Sequence, residues 1–254
     1  MRWRLLHTHA LSGADNMALD EALLQRARET GEAACRIYTW TRPTLSLGRN
    51  QTAAGRYDLV RARALGVDVV RRPTGGRAVL HHRELTYAVA MPAVGALRES
   101  YERINRLLTR ALALLGATAA PAVPEGRSPA PSLAPCFELP TRDELVVDGR
   151  KLVGSAQWRE DDALVQHGSI LVDDDQGLVR ELTLAPLPPV PPPATLRAVL
   201  GRAPSGEELA RALLHAVREA EDPDAGPWPG DAALWETMAR LRTRYLDDAW
   251  TWRR

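Results

Sequence analysis

The chain has 254 residues, with 33 Lys and Arg against 32 Asp and Glu and a formal net charge of +1, so no global field marks it for nucleic acid or an anionic membrane surface. That length corresponds to between one and two domains and is ample for a sizeable core. Two cysteines, Cys35 and Cys136, are too few for a disulfide framework, the opening MRWRLLHTHA lacks the apolar core of a signal peptide, and no apolar run is long enough to span a bilayer; the expectation is a soluble, cytoplasmic protein with no nucleic-acid and no membrane partner.

Trp3 to His7 reads as a short strand, and after the Ser12-Gly13 turn Met17, Leu19, Ala22, Leu23 and Leu24 make the apolar stripe of a helix capped by Asp15 or Asn16. Residues 37–41 and 45–47 read as strands parted by Arg42-Pro43, and 58–64 as a short helix ended by Gly66. Alternation of Leu85, Tyr87, Val89 and Met91 predicts a strand with one face to the core, paired antiparallel with 77–81. Apolar positions 97, 101, 104, 108, 111 and 115 predict a core-packing helix. Ala, Pro and Ser over 117–135 exclude lasting regular structure and make a loop over the sheet that delivers Cys136.

Asp148-Gly149 is the pair a tight primed turn requires, so 144–158 is a hairpin. A further strand, 164–172, is interrupted at Gln166-His167-Gly168 as by a kink facing a site. PLPPVPPP over 186–193 is a stiff spacer or a docking ligand for a proline-binding module. Beyond it Ser205 with Glu208 forms a capping box for one helix, and 231–246 reads as another. The expected organisation is a catalytic domain over 1–185, a proline-rich linker over 186–204 and a helical extension over 205–254 packed on the first unit.

VVRRPTGGRAVLHH, from Val69 to His82, joins two buried-strand signals through an unusual turn. Gly75 and Gly76 lack Cβ atoms, so they either make an ordinary hairpin turn or let the backbone N–H groups meet a carbonyl or an acyl chain. Cys136 stands fifteen residues before Lys151, the one lysine in the chain. It is either an inert packed thiol or a nucleophile whose thiolate a nearby ammonium favours. Cys35 reads as structural. Adjacent His81 and His82 on a strand point to opposite faces, and with His167 they find no carboxylate or cysteine to complete a set, so no metal is expected.

The stretch RRPTGGRAVLHHRELTYAV resembles the arginine and glycine-rich signature of the biotin and lipoate protein ligase superfamily. The resemblance runs through WRLLHTHALSGADNMALDEALL, RIYTWTRPTLSLGRNQ, GRKLVGSAQWR and QHGSILVD and covers most of the chain. Arg77 stands where ATP-using lipoate ligases of that superfamily usually carry a third glycine, and PCFELPTRDELVVDGRKLVGSAQ is similar to the segment in which its cysteine-dependent octanoyltransferases carry an acyl-thioester cysteine and a lysine. The resemblance implies an α/β (α+β) fold, a mixed, largely antiparallel sheet flanked by helices, with Cys136 and Lys151 catalytic.

It further implies substrate binding by Arg72, Thr74, Gly75, Gly76, Arg77, His81, Gly154, Ser155, Gln157, His167 and Gly168, with His167 bonding near the acyl carbonyl; family members often have an acidic residue where His82 stands. The activity implied is transfer of octanoyl from octanoyl-acyl carrier protein to a lipoyl-domain lysine, of the glycine-cleavage H protein or a 2-oxoacid dehydrogenase, with no cofactor; Arg71, Arg142 and Arg159 are the arginines expected to meet an acidic acceptor face. The alternatives are an ATP-dependent lipoate ligase, an octanoyl amidotransferase between lipoyl proteins, or an acyl-binding module without chemistry.

Overall fold

A computed structural model describes residues 1–123, 137, 144–187 and 191–254. Its elements are β1 (Trp3–His7), α1 (Gly13–Thr30), β2 (Ala33–Tyr38), β3 (Thr44–Leu47), α2 (Leu59–Ala64), β4 (Asp68–Arg71), β5 (Val79–His81), β6 (Glu84–Pro92) and α3 (Leu97–Leu114). There follow β7 (Ala120–Pro121), β8 (Leu145–Val147), β9 (Arg150–Glu160), β10 (Ala163–Leu171), α4 (Leu178–Glu181), α5 (Leu196–Leu200), α6 (Gly206–Ala220), β11 (Gly226–Pro227), α7 (Ala232–Leu246) and α8 (Asp248–Thr251). Among the described residues the strands form an eight-stranded sheet, ordered β11-β1-β2-β6-β10-β9-β8-β7, and a three-stranded sheet, β4-β3-β5. In the large sheet β1 runs parallel to β2 and to β11, and the other pairs are antiparallel.

Helices cover both faces of the large sheet. Leu85, Tyr87, Val89 and Met91 of β6 pack with Ile104 and Leu108 of α3 and Leu209 and Leu213 of α6, while Ala88 and Ala90, on the opposite face, pack with α1 and with Leu234 and Leu241 of α7. The alternation in β6 therefore separates large side chains from small ones, not core from solvent, and each fully buried Leu or Val contributes about 1.5–3 kcal/mol. A third cluster joins Leu45, Leu47 and Leu80 of the small sheet to Ala62 of α2 and Val179 of α4.

The pairing predicted between 77–81 and β6 does not form. Val79 and Leu80 pair with Ser46 and Leu45 of β3, whereas β6 lies between β2 and β10. Leu80 buries itself in the small-sheet core, and His82 and Arg83 carry the chain across to the large sheet. The predicted kink in β10 is also absent: Gln166, His167 and Gly168 stay in register with both neighbours. A Cβ on Gly168 would lie 2.4 Å from the Gly154 carbonyl oxygen, so the glycine permits close packing of an unbroken strand.

α1 starts at Gly13, capped by Ser12, whose Oγ accepts from the Asp15 amide, rather than by Asp15 or Asn16. Asn16 and Asp20, one helical turn apart, are instead fully buried, because α1 is enclosed between the sheet and α7. The 144–158 hairpin forms as its turn demands, with positive φ at Asp148 (49°) and Gly149 (73°). Ser205 and Glu208 cap α6 reciprocally. Residues 188–190 of the proline run lie outside the described residues, and none of the described helices is long and apolar enough to cross a membrane.

Candidate active site

Where β9 and β10 meet the glycine turn, a cavity of about 220 Å³ opens, with Met17, Val79 and Ala156 among its apolar lining. The turn is fastened by its own arginine: Arg72 Nη1 donates to the Ser46 carbonyl at 2.9 Å, and Nη2 to the carbonyls of Gly75 and Arg77, each at 2.7 Å. Gly76 has a φ of 92°, and a Cβ on Gly48 would meet the Gly76 carbonyl oxygen at 2.0 Å, so both glycines serve this close approach.

Two imidazoles in the wall are each held at both nitrogens. His167 Nδ1 lies 2.9 Å from Asp20 Oδ2, and its Nε2 lies 2.7 Å from Thr74 Oγ1. His81 Nδ1 lies 2.8 Å from Glu84 Oε1 and Nε2 2.7 Å from Ser46 Oγ, with the Trp40 ring stacked 4.1 Å away. Burial pushes the Asp20 carboxyl up, but the bond from His167, the Arg36 guanidinium and the Tyr38 hydroxyl outweigh it and hold Asp20 below its ordinary value. Burial also holds His167 below its ordinary value, against the pull of Asp20. His167 is therefore neutral, donating from Nδ1 to the carboxylate and accepting the Thr74 hydroxyl at Nε2.

The cavity lining also holds a buried ion pair. Lys151 Nζ donates to Glu144 Oε1 at 2.7 Å, the two side chains being only 1% and 5% exposed. β8 and β9 bring them together: Glu144 directly precedes β8, and Lys151 follows the tight turn on β9. The ring of Phe137 covers the ammonium, its centroid 4.9 Å from Nζ, and packs with Val79 and Leu171. Gly154 keeps this corner open, since a Cβ there would stand 3.0 Å from Lys151 Cε and 3.2 Å from Phe137 Cζ.

Of the residues singled out in the sequence, Arg72, Gly76, Arg77, His81, Lys151, Gly154, Ser155, His167 and Gly168 line the cavity. Thr74 stands behind it on His167, Gly75 braces Arg72 through its carbonyl, and Gln157 sits apart, donating to Gln166 at 3.4 Å. Cys136 and Arg142 lie outside the described residues. Arg71 is not an exposed partner contact: it is fully buried and donates to the carbonyls of Gly48, Gln51 and Thr251. Burial, with Arg253 and Arg254 nearby, pushes it down to about 10. Arg159 is exposed as expected. His82 turns away to Asp175 on the surface, and among the described residues no group of His, Cys, Asp and Glu is arranged to hold a metal ion.

Sequence reasoning missed Asp20, Ser46, Glu84 and Glu144. Asn16 and Asp20 stand in line with Leu23, Leu24 and Ala27 on the apolar stripe of α1, which was the available signal for the first, and the nearness of Glu144 to a solitary lysine was the signal for the last.

The model of the lipoyl protein ligase A/B catalytic domain matches residues 12–218. The chain belongs to that family. Family members similar to it over nearly the whole length of both chains include the octanoyltransferase LipM of Kyrpidia tusciae, 41% identical over 272 residues with 99% of each chain covered. The octanoyltransferase LipM of Brevibacillus brevis is 36% identical over 279 residues, with 100% of this chain and 99% of the relative covered. Among solved structures, a lipoate-protein ligase A bound with ATP superposes with a TM-score of 0.80 at 20% identity, covering 99% of both chains. A bipartite lipoate protein ligase from Thermoplasma acidophilum, solved in a study with its E2 lipoyl domain, gives 0.79 at 19% identity, covering 99% of this chain and 96% of that one. At these identities the likeness establishes the family's fold.

Proposed function

We propose that this octanoyltransferase of lipoate biosynthesis works through a thioester on Cys136, taking octanoyl from octanoyl-acyl carrier protein and passing it to a lysine of a lipoyl-accepting protein, the glycine-cleavage H protein or a 2-oxoacid dehydrogenase lipoyl domain. Octanoyl transfer itself rests on full-length relatives. The observation that carries the rest is the covered ammonium: Phe137, the covalent neighbour of Cys136, packs over Lys151 Nζ at one end of a cavity sized for a single short chain.

In the first step the Cys136 thiolate attacks the carbonyl carbon of the donor thioester, the bond from carbon to the carrier sulfur breaks, and that sulfur leaves as a thiol with a proton from Lys151 Nζ. In the second, a neutral acceptor amine attacks the octanoyl-cysteine, its proton passes to Nζ, and the Cys136 thiolate is released. The cycle restores the ammonium and uses no nucleotide, because the thioester already carries the activation. Backbone N–H groups of Gly75-Gly76 or Gly154-Ser155 stabilise the oxyanion, each donor contributing about 3 kcal/mol. Arg72, Arg77, His81, His167 and Gly168 shape the chain's seat, with Thr74 fixing His167.

Transfer from octanoyl-acyl carrier protein to an apo-lipoyl domain, assayed without nucleotide, tests the reading. It should proceed with the native chain and stop with Cys136→Ser. A requirement for ATP and free octanoate with pyrophosphate release gives the ligase reading instead, and transfer only from an octanoylated lipoyl protein gives the amidotransferase.

A further inference from the structure

A lysine buried to 2% exposure would ordinarily shed its proton, because a low-dielectric site disfavours the ammonium. Lys151 is so buried, yet it sits 2.7 Å from the carboxylate of Glu144, which is itself only 4% exposed. Among the described residues lining the cavity Glu144 is the one carboxylate; the other titratable groups there are Tyr38, Arg72, Arg77, His81 and His167. Two of these are guanidiniums, which oppose a second cation, whereas the Glu144 carboxylate favours a charged Lys151. Its backbone is anchored too, its carbonyl accepting from the Ala122 amide at 2.7 Å.

We infer that Glu144 is a positioning residue for the transfer half-reaction: it fixes Nζ against the cavity and makes the amine of Lys151 basic enough to take the proton of the incoming acceptor amine. The inference rests on the thioester mechanism above and goes beyond it in dividing the two half-reactions. In the first step the ammonium gives up a proton: the carboxylate keeps that ammonium populated but makes its proton harder to release, and the two effects offset. In the second the amine gains one, which the carboxylate makes easier. No bond is made or broken at Glu144, which remains a carboxylate throughout.

Removing the charge should therefore slow the second half-reaction and spare the first. With Glu144→Gln, formation of the octanoyl-enzyme from a carrier-borne donor should change by less than about threefold. Single-turnover transfer from the preloaded enzyme to an apo-lipoyl domain should slow by about 10²-fold, within the range for a proton-transfer group. Glu144→Asp should recover most of the loss and covers the case in which the glutamine variant fails to fold. Because Lys151 is the only lysine, lysine labelled with ¹⁵N at Nζ reports one side-chain resonance. Its titration should move down by about 2 units or more in Glu144→Gln. An unmoved titration, or equal slowing of both half-reactions in both variants, overturns the role of Glu144. If the native chain forms no octanoyl-enzyme, the thioester mechanism fails first, and that outcome is read before either variant is made.

Discussion

Two parts of the cavity lining handle polar groups in opposite ways. In one, His81 and His167 are pinned between a carboxylate and a hydroxyl, with no ring nitrogen left over for a substrate proton. In the other, Lys151 pairs with the Glu144 carboxylate beneath the ring of Phe137, which follows Cys136 in the sequence. A side chain saturated at every polar atom holds a shape, whereas a charged group with exchangeable protons can do chemistry. On the proposed mechanism the histidine wall is scaffold and the lysine corner is machinery.

The largest expected effect falls on the machinery. Lys151→Arg keeps the positive charge but offers no proton near neutral pH, so turnover should fall by about 10²–10⁴-fold in a steady-state transfer assay. Retention of more than a tenth of the native rate would show that charge alone suffices and would erase the distinction between the two parts.

The next effect is on stability and belongs to the wall. Asp20→Asn leaves the fully buried Arg36 without its 2.7 Å carboxylate partner, and a broken buried pair costs about 3–5 kcal/mol, measurable by urea unfolding. A loss under about 1 kcal/mol would mean that water or a shifted neighbour replaces Asp20.

The smallest effect is a pH slope. His167 is held neutral in the folded chain, while in the unfolded chain it takes up a proton near 6.5. The unfolded state then binds more protons, so stability declines as pH falls below about 6.5, by up to about 1.4 kcal/mol per pH unit. His167→Gln should flatten that segment of the curve, and an unchanged slope would assign it to another group.

Local chemistry made much of this fold legible. Asp148-Gly149 specified its hairpin, Ser205 with Glu208 specified the start of α6, and the apolar spacing from 97 onward specified α3. The partners of β5 and β6 were not legible, because these strands are adjacent in sequence yet belong to different sheets, which β3 on one side and β2 and β10 on the other decide. At the site, the glycine turn and Lys151 stood out by composition. Glu144 did not, since an acidic residue next to Arg142 and Asp143 reads as a solvated face, and its burial depends on β8 folding back against β9. Asp20 was hidden similarly: its helix looked one-sided until α7 covered the other side.

Intact-mass spectrometry of the native chain after incubation with octanoyl-acyl carrier protein tests the sulfur chemistry most directly. One octanoyl adduct should appear, disappear with neutral hydroxylamine, and map by proteolysis to the peptide containing Cys136. Cys35, which is 1% exposed and whose thiol burial pushes up, should remain unmodified. An adduct resistant to hydroxylamine, or one located on Cys35 or Lys151, would contradict the mechanism.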